Sequence, residues 1–223
     1  MGIAEISHRS PAFIQVLANA NKDLKALLDV PDHYRILWMQ GGGLTQFSAT
    51  VLNLIACYRL KHQLKPEDEV VGEYCITGSW SLKAAEEGAR MGAAARTIVD
   101  GRKAGGGKFK AIPQTAEWDL AAHGDKAEGR KPAFVYYCDN ETVDGVEFPA
   151  DTSNGGQSFP FDKFGDVPVV CDMSSNFLSR PVDVSKYGII YAGAQKNLGP
   201  AGVSVVIVRE DLISAFFRMC VRS

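Results

Sequence analysis

The chain has 223 residues, 46% of them hydrophobic, and a formal net charge of −2. That is enough chain to bury a sizeable core, and the near-neutral balance gives no basis for nucleic-acid binding or attachment to a membrane surface. No apolar run reaches membrane-spanning length and no targeting segment precedes the first motif, so a cytoplasmic protein is expected. Five cysteines (57, 75, 138, 171 and 220) lack the spacing of a zinc site or a disulfide frame, which suggests reduced thiols and no metal.

In chain order, Ser7-His8-Arg9 forms a short loop and Ser10-Pro11 opens a helix, serine as cap and proline in the first turn. Phe13, Val16, Leu17, Ala20, Leu24, Leu27 and Leu28 supply its apolar stripe. Tyr34–Met39 reads as a strand, Gly41-Gly-Gly43 as a turn, and Thr45 to about Leu64 as a helix. A strand through Val70-Val71 and Tyr74–Ile76 leads to Thr77-Gly78, and a helix follows from about Trp80 to Met91. Ala95–Val99 is the next strand. Residues 101–108, 123–130 and 151–158 are polar, glycine-bearing connections.

Three further strands end in chemically useful residues. Ala133–Cys138 runs into Asn140-Glu-Thr142, Val167–Asp172 ends in a carboxylate, and Gly188–Tyr191 leads through small residues to Lys196 and Gly199-Pro200. Alternating strands and helices predict an α/β fold with a mostly parallel sheet. Ligands sit at strand tips in such sheets. A lysine, an aspartate and a hydroxyl on three tips suggest a pyridoxal phosphate site, with Lys196 as Schiff-base amine and Asp172 as partner of the pyridine nitrogen. The small neighbours Ala192, Gly193 and Ala194 favour close approach of a ligand, and burial would ease loss of the lysine proton.

Each residue also has a plainer reading. Lysines after strands are mostly surface charges, Trp80 suits core packing, Thr142 and Asp172 suit turns, and His8 and Arg9 suit a solvated surface. Gly41–Gly43 lacks the spacing of a dinucleotide fingerprint or a P-loop, but backbone N–H groups at a helix start make an anion seat.

Six ordered motifs, Ser7-His-Arg-Ser10, Gln40-Gly-Gly-Gly43 with Gln46-Phe47, Thr77-Gly-Ser-Trp80, Asn140-Glu-Thr142 with Gly145-Val-Glu147, Cys171–Asn176 and Ala192–Asn197, resemble the phosphoserine aminotransferase family of class V, fold-type I enzymes. The resemblance runs from about Ile6 to about Cys220 and implies the large cofactor-binding domain: a mostly parallel seven-stranded sheet between helices. It implies pyridoxal 5'-phosphate with its phosphate at Gly43 and Leu44, its ring stacked on Trp80, its ring oxygen at Thr142 and its nitrogen at Asp172. Gln195 would assist at the phosphate, Lys196 would hold the cofactor and shuttle the proton, and His8 and Arg9 would bind the substrate anion. The implied reaction exchanges the amino group between O-phosphoserine and 2-oxoglutarate in serine biosynthesis, in a homodimer. The family's leading segment and small C-terminal domain have no counterpart in residues 1–223, and Val221–Ser223 departs from the pattern. Alternatives are another class V enzyme or an inactive product. Gln195, where cysteine desulfurases carry histidine before the lysine, argues against that branch.

Overall fold

A computed structural model describes residue 2 and residues 5–120, 132–150 and 156–213 of the chain. The connection expected at 123–130, residues 151–155 of the one expected at 151–158, Cys220 and the ending at Val221–Ser223 lie outside the described residues.

Helix α1 (Pro11–Leu27) starts where the cap predicts: the Ser10 hydroxyl accepts from the Phe13 amide at 3.2 Å. Its apolar stripe is only partly used. Leu24 and the following Leu28 are buried, whereas Ile14, Leu17 and Leu27 are exposed, because only the C-terminal end of the helix packs against the described core. Strand β1 (Tyr34–Met39) leads through Gly41 and Gly42, both at positive φ (97° and 66°), into helix α2 (Gly42–His62). Glycine tolerates these values, and a Cβ at Gly41 would also strike the Thr45 side chain. The helix thus begins three residues before the expected Thr45. Its last turn carries Arg59, Lys61 and His62, which suits the negative end of the dipole.

Strand β2 (Val71–Ile76), helix α3 (Ser79–Arg90) and strand β3 (Ala94–Asp100) follow as predicted. The connection expected from residue 101 opens instead with one helical turn, α4 (Gly101–Ala104), because the Asp100 carboxylate caps it by accepting from the Arg102 amide. Strand β4 (Phe134–Cys138) is followed by a small antiparallel hairpin, β5 (Asn140–Glu141) with β6 (Val146–Glu147). Strands β7 (Val169–Asp172), β8 (Ile189–Gly193) and β9 (Ser204–Arg209) are the last strands among the described residues.

The main sheet has seven strands in the order β1-β9-β8-β7-β4-β2-β3. Neighbours from β8 to β3 are parallel, and β9 runs antiparallel to both β8 and β1. The sheet is therefore mostly parallel, as the alternation of elements predicts. The central strands read as continuous apolar runs because both faces are covered. Alternate residues feed two cores: Tyr74, Tyr136, Val170 and Tyr191 pack with Phe47, Val51 and Leu54 of α2, while Tyr137, Cys171, Ile190 and Ile207 pack with the aromatic residues Trp118, Phe148, Phe159 and Phe164. Cys75, Cys138 and Cys171 are buried free thiols, pushed up in pKa by burial. No helix of the described residues is long and apolar enough to cross a membrane.

Candidate active site

The parallel strands β2, β4, β7 and β8 end at one edge of the sheet, beside the N-termini of α2 and α3. Asp172 closes β7 there and is buried, with 6% of its surface exposed. Its Oδ1 accepts both the amide (2.9 Å) and the hydroxyl (2.6 Å) of Ser174. Its Oδ2 faces the start of α2, where a Cβ on Gly43 would stand 3.6 Å away. Burial raises the pKa of Asp172; the Ser174 donors oppose that rise.

Ser174 also joins two tips, since its hydroxyl accepts from the Gly193 amide of β8 at 3.1 Å. Lys196 lies three residues beyond, in a turn held by Gly199 N–H to Ala194 O (2.9 Å) and by the Asn197 amide group to Phe177 O (3.2 Å). The expectation of a buried lysine fails: Lys196, Gln195 and Asn197 are all exposed. Only Ala192, Gly193 and Ala194 are buried, because the chain leaves the sheet after Ala194 and turns back through Gly202, at φ 116°, into β9. Gln195 folds its side chain back over Gly193, where a Cβ would meet it at 2.5 Å.

Trp80 lies in the first turn of α3, half-buried against the α2-side core, with Lys83 Nζ 4.6 Å from its ring centroid. Packing and a cation–π contact thus both act on this ring. Thr142 sits exposed in the β5–β6 turn. Leu44, in the first turn of α2, is 60% exposed. His8 and Arg9 are exposed, and among the described residues no hydrogen bond or ion pair links them to the Asp172 cluster; the Arg9 amide donates locally to Ser7 Oγ at 3.2 Å. The structure therefore brings Gly43, Asp172 and the base of the Lys196 turn together and leaves His8 and Arg9 apart.

Sequence reading missed Glu141. It is fully buried, and its carboxylate accepts the amides of Trp80 and Ser81, each at 2.8 Å, while Asp144 accepts the Ser79 amide at 2.6 Å. These carboxylates from the hairpin fill the positive end of α3. No side chain caps the N-terminus of α2. The available signal was Gly78: glycine is needed because a Cβ there would overlap the Glu141 stem at 2.4 Å. A second network locks the hairpin base, with Arg180 donating to Asp139 (2.6 Å), Glu147 (2.9 Å) and Phe148 O (2.9 Å).

The donor set fits an anionic, ring-bearing cofactor. A buried carboxylate without an ion-pair partner among the described residues suits a protonated ring nitrogen, and free amides at a glycine-opened helix suit a phosphate. Thr77 Oγ1, Gln46 Nε2 and Ser204 Oγ, near these strand and helix ends, are buried without hydrogen-bond partners among the described residues.

A mostly parallel α/β sheet, with an aspartate at the tip of β7 and a lysine in the turn after the adjacent β8, is the arrangement expected of a pyridoxal-phosphate transferase. The chain belongs to the Aminotransferase class-V family, whose pattern matches residues 2–220. A phosphoserine aminotransferase of Drosophila melanogaster is 43% identical over 219 residues, covering 98% of this chain and 51% of its own length. The solved phosphoserine aminotransferase of Bacillus circulans subsp. alkalophilus superposes with a TM-score of 0.76 at 35% identity, covering 96% of this chain and 50% of its own. The pyridoxal-phosphate-bound phosphoserine aminotransferase of Trichomonas vaginalis gives 0.74 at 34% identity, covering all of this chain and 56% of its own. The chain spans about half the length of these relatives.

Proposed function

We propose that the chain is the large, cofactor-binding domain of a phosphoserine aminotransferase. It would act with pyridoxal 5'-phosphate in the cytoplasm, as part of serine biosynthesis, to exchange the amino group between O-phospho-L-serine with 2-oxoglutarate and 3-phosphohydroxypyruvate with L-glutamate. The observation that carries this reading is the placement of Asp172: buried at a strand tip, facing Gly43, and joined through Ser174 to the strand that leads into Lys196. The named relatives support the substrate pair.

When bound, pyridoxal phosphate supplies an electron sink for charge developing at the substrate α-carbon. The chain's residues do the rest. The amides of Gly43 and Leu44 seat the phosphate, with Gln195 assisting. Trp80 offers a flat surface to the ring, and the Thr142 hydroxyl binds the ring oxygen. Asp172 holds a proton on the ring nitrogen, since an adjacent carboxylate favours the charged form. Lys196 is the anchoring amine and, when free, takes and returns the proton at the α-carbon. His8 and Arg9 receive the substrate's anionic end; arginine suits a phosphate or carboxylate bidentately. Exposed Leu44 and Leu52 on α2 support a homodimer that covers this face.

Pyridoxal phosphate followed by borohydride should leave a reduced adduct on the peptide carrying Lys196, and Lys196→Ala should lose it. Phosphoserine should outcompete alanine and cysteine as amino donor. Trapping on a different lysine would overturn the site, and a preference for alanine or cysteine would overturn the substrate.

A further inference from the structure

A carboxylate that serves a ring nitrogen has two oxygens and needs one of them for that contact. The other must be held, or the group is free to turn. At Asp172 the two oxygens have different surroundings. Oδ1 accepts the Ser174 amide at 2.9 Å and the Ser174 hydroxyl at 2.6 Å. Oδ2 faces the start of α2, where a Cβ on Gly43 would stand 3.6 Å away.

The direction of these bonds is fixed by backbone amides, which can only donate. The Ser174 amide makes Oδ1 an acceptor. The Gly193 amide of β8 sets the next link, because it donates to Ser174 Oγ at 3.1 Å and leaves the single hydroxyl proton for Oδ1. The order is Gly193 N–H to Ser174 O–H to Asp172 Oδ1. A proton on Oδ1 would meet two donors, so a proton shared between Asp172 and a ligand lies on the Oδ2 side. Bonds donated to a carboxylate favour its ionised form, and they count for most where the group is buried, as Asp172 is. The backbone around it is pinned as well: the Asp139 amide donates to Asp172 O and the Met173 amide to Tyr191 O, both at 2.9 Å. One hydroxyl thus spans two fixed strands, β7 with the acid and β8, whose tip lies three residues before Lys196.

We propose that Ser174 is a positioning residue for the cofactor's ring nitrogen: its amide and hydroxyl lock Asp172 Oδ1, leave Oδ2 turned toward the ligand, and tie the acid to the strand tip that leads into the lysine turn. This rests on the pyridoxal phosphate reading above and adds to it which oxygen meets the ring and what holds it there.

The test compares affinity for pyridoxal 5'-phosphate with affinity for its 1-deaza analogue, in which carbon replaces the ring nitrogen. Hydrogen exchange at the Gly193 amide is followed in the same samples without ligand. The unsubstituted chain should prefer the nitrogen-bearing ligand. Ser174→Ala removes the hydroxyl and keeps the amide. It should lower that preference roughly tenfold, the scale of one hydrogen bond to a charged group, and speed exchange at Gly193, which loses its acceptor. Ser175→Ala is the control, since the Ser175 hydroxyl meets Asn140 (3.0 and 3.3 Å) rather than Asp172, and the preference should hold. A packing role would weaken both ligands equally in Ser174→Ala. An unmoved preference in that variant, with the unsubstituted chain trapped on Lys196, overturns the role of Ser174 and leaves the cofactor reading standing. An equal loss of preference in Ser175→Ala overturns it too. Should Ser174→Ala fail to fold, Ser174→Cys, close in size but a weak donor, carries the test in the same direction. An unsubstituted chain that binds neither ligand overturns the role of Ser174 together with the cofactor reading.

Discussion

Gly78→Ala is a small substitution with a large expected cost. The backbone at Gly78 is extended (φ −168°, ψ −167°), a conformation alanine adopts, so the cost is steric. A Cβ there would lie 2.4 Å from Cδ and Cγ and 2.5 Å from Cβ of Glu141. The Glu141 stem cannot swing aside freely. It is fixed at one end by hairpin pairing with Val146 and at the other by the amides of Trp80 and Ser81. Moving it breaks the cap of α3. Losing a cap costs about 1 kcal/mol, a bond to a charged group about 1.5–3 kcal/mol, and overpacking about 1–3 kcal/mol. Relief from burying a charge offsets part of this. Gly78→Ala and Glu141→Ala should therefore each destabilise the fold by roughly 3 kcal/mol.

The discriminating measurement is the double variant. With Glu141 truncated, the Cβ at position 78 meets open space, so the double variant should unfold at nearly the urea concentration of Glu141→Ala alone. Urea denaturation followed by circular dichroism reads the difference, and the coupling should reach at least ~1.5 kcal/mol, beyond the ~0.5 kcal/mol within which independent sites add. Additive costs would refute the claim that Gly78 exists to admit Glu141.

Two other perturbations separate seat from scaffold. Gly43→Ala places its Cβ at ordinary contact distance, 3.6 Å from Asp172 and 3.9 Å from Ser174, so stability should barely change while affinity for pyridoxal phosphate falls; equal affinity in an equilibrium titration would remove Gly43 from the site. Glu141→Gln should flatten the pH dependence of thermal unfolding. Burial raises the Glu141 pKa above its ordinary 4.5, so the folded chain holds the proton more tightly and gains stability as pH falls through that raised value, with no further gain below 4.5. The glutamine variant should lack that rise, and unchanged slopes in melting scans on the acid side would refute it.

Much of the fold was legible because fully buried parallel strands carry unbroken apolar runs, and Tyr74–Ile76, Phe134–Cys138 and Val169–Cys171 each do. The same signal at Val205–Val208 marks β9, which a reading centred on Lys196 passed over. Residue exposure was less legible. Small neighbours suggested a buried Lys196, but they describe only the last residues inside the sheet, and the turn that follows carries Lys196 to the surface. Tyr191 and Tyr136 looked like ordinary strand residues; their pairing across β7 depends on strand order, which local patterns do not encode.

The two helix starts at the candidate site show where local reading stops. Gly41-Gly-Gly43 and Thr77-Gly-Ser79 both follow a strand and open a helix with glycine, and either could seat an anion on local grounds. What separates them lies some sixty residues away: Glu141 and Asp144 deliver two carboxylates to α3 and none to α2. An incoming phosphate at α3 would have to displace both and leave a fully buried charge unpaired. At α2 it would meet amides without a side-chain cap, beside the buried Asp172 carboxylate. The α3 start thus serves to fix Trp80 to the hairpin bearing Thr142, and the α2 start is the one left without a side-chain cap.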